Sequence, residues 1–345
     1  MAFAIGSLPH VDMQAALDLI LERLGRCPHW PQLPARSFLE QMEYQFSGFL
    51  PGVTVDEQGR RLVVDQHGDT FLPALERFWE RALAAEQGRE LEHFGVSEAY
   101  APGLFALESR LWGGDGPPFV KGQCTGPFTL GLGLTTTDDR ALYYDDTMRD
   151  VVIRAVALHA RWQARRLSRL GGAAIMAVDE PVLTSFGSTA MITVSREQVV
   201  SALGEAADSL HAEGALMSTH CCGNTDWSMM VDAGVDILSF DAWEYGEKMA
   251  LYAREIARLF ERGGWLAWGV VPSRPEILDV TAERILERLH ESQSSLAAHG
   301  LDAGTVEERT LLTPSCGTGP LTVHQAVRAY ELLEEVESRW DAAGA

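Results

Sequence analysis

The sequence predicts an α/β fold and, within that class, a closed (β/α)8 TIM barrel that forms a single domain over residues 1–345. Three observations carry the prediction. Short apolar runs alternate with long amphipathic runs through the second half, the pattern of buried parallel strands joined by crossover helices. Asp179, His220, Asp241 and Cys316 each follow the end of a different apolar run, and in a barrel those ends converge on one mouth. In an open sheet some of the four would lie too far apart to share an ion. Finally, no low-complexity linker, repeat or compositional break divides a chain of the length that such barrels use as one domain.

The elements follow in order. Residues 5–8 read as a first strand, and the proline-rich residues 27–34 as a loop covering the mouth. Residues 62–65 are a short candidate strand, 71–85 and 96–111 have helical periodicity, and 119–125 is an apolar strand closed by Gly126-Pro127. Strands are then expected at 173–178, 215–219, 235–240, 265–271 and 310–313. Helices are expected at 149–170, 196–212, 249–262 and 282–299. A last helix runs from 322 to about 340, with Thr322 and Gln325 spaced as a capping box.

Composition narrows the function. With 46% hydrophobic and 22% charged residues the chain is an ordinary soluble globular protein. Lys+Arg number 28 against 49 Asp+Glu, a formal charge of −21, which repels phosphate backbones and anionic membranes. Neither nucleic acid nor a membrane is an expected partner. No apolar stretch approaches the ~20 residues of a membrane span, and Met1 to His10 lacks the basic and apolar regions of a secretory signal. Five cysteines without an export signal point to reduced thiols and a cytoplasmic protein.

Three of those cysteines fall in two motifs, His220-Cys221-Cys222-Gly223-Asn224 and Pro314-Ser315-Cys316-Gly317. On an extended strand His220 and Cys222 face the same side, a spacing that suits two ligands of one ion, with Cys316 as a third. Cys221 points the other way and reads as a buried thiol, with replacement of Cys222 as the alternative. A fourth ligand is expected from Asp241, or from Glu244 one turn beyond. Asp241 could equally cap the following helix or hydrogen-bond a ligand histidine. Asp179, before Glu180-Pro181, suits a substrate ammonium or a general base, or else a cap. The turn from Ile5 through Gly6 and Ser7 to His10 offers backbone N–H groups and a hydroxyl for a carboxylate. Trp243, Tyr245, Trp265 and Trp268 are either core or a platform for a large cofactor.

Taken together, these motifs resemble a known superfamily. Ile5-Gly6-Ser7-Leu8-Pro9, Cys124-Thr125-Gly126-Pro127-Phe128-Thr129, Val178-Asp179-Glu180-Pro181, His220-x-Cys222, Val235-Asp236-Ile237-Leu238 and Pro314-x-Cys316-Gly317 occur in this order in the catalytic domain of cobalamin-independent methionine synthases. The zinc motifs are also similar to those of methyltransferases that move methyl groups from corrinoid proteins to coenzyme M. With uroporphyrinogen decarboxylase these families share a (β/α)8 barrel. The resemblance implies zinc on His220, Cys222 and Cys316, with the remaining carboxylate ligand near Asp241. It implies that Asp179 holds the homocysteine ammonium, and that Ser7 and the adjoining Gly6 hold its carboxylate.

Three departures matter, and the first two bear on the methyl donor. The histidine that protonates the folate leaving nitrogen is missing from Gly269-Val270-Val271-Pro272-Ser273-Arg274-Pro275. An N-terminal half-protein like that of the plant and enteric enzymes is not expected, and a His-Gly-Glu element has no counterpart. The reading is therefore a zinc-dependent thiol S-methyltransferase, with homocysteine favoured as acceptor. The first two departures suit a methyl-corrinoid, brought by a corrinoid protein, as donor rather than methyl-folate. No catalytic residue is assigned beyond the zinc site. The alternatives are a uroporphyrinogen decarboxylase-like lyase, for which Lys121 and Arg274 are the best placed cations, and a non-catalytic ligand-binding barrel.

Overall fold

The structure, a computed structural model, describes residues 1–56 and 58–343. Two short strands, β1 (Val53–Asp56) and β2 (Arg61–Val64), pair antiparallel. The main sheet contains β3 (Phe119–Thr125), β5 (Ala173–Asp179), β6 (Leu216–Cys221), β7 (Ile237–Phe240), β8 (Trp265–Val271) and β9 (Thr310–Pro314). These six are all parallel and lie in the order β3-β5-β6-β7-β8-β9. The dipeptide β4 (Thr135–Thr136) joins β2 in a small mixed sheet instead.

The expected closed eight-stranded barrel is therefore corrected. Six strands curl as a half-barrel, and two extended segments that are not strands run between its edges, β9 and β3. The first touches β9 at Ala2 and Leu312, the two segments touch at Ser7 and Gln32, and the second touches β3 at His29 and Lys121. Their composition explains why no ladder forms. Gly6 has a positive φ of 144°, and Pro28, Pro31 and Pro34 lack the N–H that a strand interior needs. Residues 5–8 are thus not a strand, and residues 27–34 are wall rather than cover. The residues that reach the cavity from above are Met42 and Phe46, and the Met42 carbonyl accepts a 2.5 Å hydrogen bond from Thr125 Oγ1.

Helices on the outer face follow the apolar periodicity. Asp146–Leu167 precedes β5, Arg196–His211 precedes β6, and Ala282–Ala298 precedes β9. The last helix, Val323–Ala343, starts behind the expected capping box: Thr322 N donates to Gln325 Oε1 at 3.0 Å, and Gln325 N to Thr322 Oγ1 at 3.3 Å. Two expectations shift. The helix expected over 96–111 begins only at Pro102, whose fixed φ suits a first turn and disfavours helix before it. The run 249–262 divides into a 3₁₀ segment, Gly246–Tyr252, and a short α-helix, Ala253–Glu261. No helix among the described residues is long and apolar enough to cross a membrane.

Inside the curl, alternation along the strands sets up layers. Phe3, Cys27, Ile175, Ile237, Ala267 and Leu311 pack as an apolar floor. Two residues further along β7 and β9 the same face carries Ser239 and Thr313, both buried. Another step brings Asp241, the residue just after β7, while Asp179 stands four residues beyond Ile175 on β5. The interior thus turns from apolar to polar toward the C-terminal ends of the strands.

Candidate metal centre

His220 lies one residue before the end of β6, Cys222 immediately follows that strand, and Cys316 stands two residues past β9. β7 and β8 separate β6 from β9 in the sheet, so only the curl brings the three residues together. One ligand atom from each lies within 4.8 Å of the other two. His220 is buried, and both cysteines are half-buried.

The imidazole is held for ligation. Its Nδ1 is 3.0 Å from the Ser239 hydroxyl, while its Nε2 is buried without a partner. With Nδ1–H donating to the serine, Nε2 presents a bare lone pair. The sulfurs fit a cation as well. A hydrogen bond from the Cys316 thiol, helped by the adjacent His220 ring, pulls the Cys222 thiol down to about 4. The Cys222 sulfur it donates to, together with burial, pushes Cys316 well above its ordinary value. Two adjacent thiols cannot both ionise on their own, and a divalent ion between them removes that conflict. An orphan imidazole nitrogen beside two thiols is a donor set that suits zinc.

Neighbouring loops fix these residues. Ser273 Oγ donates to the Cys316 carbonyl at 2.7 Å and accepts from Cys316 N at 3.1 Å, clamping the turn after β9. After β6, Thr225 Oγ1 donates to Leu183 O at 2.8 Å, and the Tyr252 hydroxyl donates to Thr225 O at 2.9 Å. Gly223 has no left-handed φ; its reason is room, since a Cβ there would sit 2.5 Å from Thr184 Cγ2.

The expected fourth ligand is not part of this group. Asp241 Oδ1 accepts from Glu244 N at 3.0 Å as the N-cap of the next helix, and Oδ2 is 3.5 Å from Arg274. Glu244 pairs with Arg274 at 2.8 Å. Helix capping and the arginine have claimed both carboxylates. Burial, opposed by the bond from Glu244 N, raises the Asp241 carboxyl to about 6.

A cavity of about 260 Å³ opens on the cluster, lined by Asp179, His220, Cys222 and Cys316 among others. Asp179 Oδ1 is buried without a partner, and burial raises its pKa although Lys121 opposes the shift. Its neighbour Glu180 turns away and accepts from Phe128 N, Thr129 N and Thr129 Oγ1 at 2.8, 2.8 and 2.7 Å. Ser7 also lines the cavity, with its Oγ accepting from Gly319 N at 3.3 Å and its carbonyl from Thr318 N at 3.0 Å. Gly6 is not in the lining; a Cβ there would meet the Gln123 side chain at 2.7 Å. Among the described residues no lysine or arginine lines the cavity. Lys121 is buried in the wall and donates to Ile5 O at 2.7 Å.

Sequence reasoning missed Gln32, Met42, Phe46, Gln123 and Thr125 in the lining, and Ser239 and Ser273 as supports. Period-two spacing from Lys121 would have found Gln123 and Thr125, and the same step back from Asp241 finds Ser239. Nothing in the sequence marks Met42 or Phe46. Of the aromatics, Trp268 is fully buried core, while Trp243, Tyr245 and Trp265 lie under Arg288, Lys248 and Arg309. None of the four lines the cavity.

No protein-family model matches the chain, and no curated protein matches it. The resemblance drawn from the motifs rests on the quoted residues alone.

Proposed function

We propose that this protein is a zinc-dependent methyltransferase that moves a methyl group onto a small thiol, with homocysteine the favoured acceptor and methionine the product. One observation carries the reading. An orphan imidazole nitrogen and two thiol sulfurs gather within 4.8 Å at a cavity that also holds an unpartnered carboxylate oxygen. Bound by His220, Cys222 and Cys316, zinc supplies a Lewis acid that favours the ionised form of an incoming thiol.

The chain's own groups do the rest. Asp179 Oδ1 accepts a hydrogen bond from the acceptor's ammonium, which orients the substrate sulfur. Ile5, Met42, Phe46, Pro181 and Pro320 exclude water from the lining. The sulfur then attacks the methyl carbon as the bond to the donor breaks. Ser273 is engaged on Cys316 and Arg274 on Glu244, so this segment offers no acid for a folate nitrogen. That favours a methyl-corrinoid, whose cobalt leaves without a proton. A decarboxylase would need cations against several substrate carboxylates; here Lys121 is spent on Ile5 O and Arg274 on carboxylates.

Metal analysis with donor assays tests the reading. The protein should hold about one zinc per chain, lost in Cys222→Ser and in Cys316→Ser. Homocysteine should add a sulfur scatterer to the zinc X-ray absorption spectrum, and methyl-corrinoid should outperform methyl-folate. Zinc binding that survives both substitutions, or a spectrum unmoved by thiols, would overturn it.

A further inference from the structure

A second cavity, of about 360 Å³, lies beside the first, where the chain runs from Phe46 to Gly48 and on to β1. Among the described residues its lining carries Arg77, Arg81 and His93, and no aspartate or glutamate. That is anomalous in a chain with 49 acidic and 28 basic residues. The grooves along Asp146–Leu167, by contrast, are lined by carboxylates as well as arginines.

Arg77 and Arg81 stand four residues apart on the helix Phe71–Glu86 and so share one face. Like charges at this spacing repel. On the neighbouring helix, Arg149, Arg154, Arg161, Arg165 and Arg166 each meet a carboxylate. The guanidinium groups of Arg77 and Arg81 have no hydrogen bond, ion pair or ring contact among the described residues. His93 Nε2 is 3.5 Å from a Glu90 carboxylate oxygen, so Glu90 is engaged on His93 rather than on the arginines. The same cavity also presents Val53, Val55 and Phe78, and Val55 is exposed.

We infer that this pocket binds a small organic dianion, with its charged group on Arg77 and Arg81 and an apolar body against Val53, Val55 and Phe78. Phosphate monoesters and dicarboxylates share that chemistry. Two guanidinium forks present planar donors to paired oxygens, and an apolar body removes exposed hydrocarbon from water. The site makes no use of the metal cluster and does not depend on methyl transfer.

Calorimetry on the full chain with phenyl phosphate and isophthalate tests the proposal, with phenol and inorganic phosphate as controls. At low salt at least one dianion should bind at least ~10-fold more tightly than either control, and ~0.5 M salt should abolish most of that advantage. Arg77→Gln and Arg81→Gln should each weaken it ~10-fold. Both positions are exposed, and circular dichroism checks that the variants fold. Cys222→Ser should leave the affinity unchanged, which separates this site from the metal centre. The proposal fails if neither dianion outbinds both controls, or if both arginine variants keep wild-type affinity.

Discussion

Replacing Ser239 by alanine should weaken zinc binding without touching a ligand. The serine is buried, and its hydroxyl stands 3.0 Å from His220 Nδ1. Alanine leaves that N–H buried and unpaired, at a cost of about 1–3 kcal/mol. The ring then gains by moving its proton to Nε2, the nitrogen proposed to meet the metal. Loss of such an outer partner lowers metal affinity by about 10–100-fold, or roughly 1.4–2.7 kcal/mol. Competition against a chromophoric chelator measures the affinity, and ¹H–¹⁵N correlation of the ring reads the tautomer. Ser239→Thr, which keeps the hydroxyl, should recover most of the loss. Unchanged zinc affinity in Ser239→Ala, together with an unchanged ring tautomer, would refute the reasoning.

Asp179→Asn should raise the homocysteine KM by about 10–100-fold, the worth of a hydrogen bond to a charged group, while zinc content stays constant; equal KM values for the two proteins would exclude the ammonium role. Lys121, its pKa lowered from 10.5 to about 8 chiefly by burial, binds its proton more weakly when folded. Between those two pH values the unfolded chain holds more protons, so stability should climb with rising pH by up to about 3 kcal/mol from this group. Lys121→Met should flatten that climb relative to wild type in urea titrations, and parallel profiles would contradict it. Glu180→Gln should cost about 2–3 kcal/mol, because an amide N–H₂ would face one of the three donors that the carboxylate now accepts. An unchanged urea midpoint would instead mean that the group is already protonated, as the push of burial toward about 7 favours.

Much of the central sheet was legible because punctuation bounds it. β3 and β8 run over the residues that apolar continuity marks, with Pro118 before β3 and Gly126 and Pro272 as stops. β6 runs two residues past the end expected at 219. His220 and Cys221 pair with Ser239 and Phe240 inside the ladder, so the histidine belongs to the strand rather than following it. The cluster of His220, Cys222 and Cys316 was readable because chemistry-bearing residue types at strand ends are few. The fourth ligand was not, since an aspartate before a helix looks the same whether it caps or coordinates, and Asp241 caps. The prolines at 28, 31 and 34 were plain to see, but hydropathy cannot tell a wall without a ladder from a loop above one. Met42 and Phe46 reach the cavity through tertiary packing alone.

The gap between β9 and β3 gives the molecule a seam. Three single bridges hold the segments that fill it, whereas each boundary within the six-stranded sheet has a run of paired residues. Amide hydrogens along this seam should exchange with solvent deuterium before those of the ladder. Ser7 and Gln32, which form one of the three bridges, also edge the cavity. Opening of this wall would widen the cavity at Ser7 and Gln32 while the strands that carry His220 and lead to both cysteines stay paired.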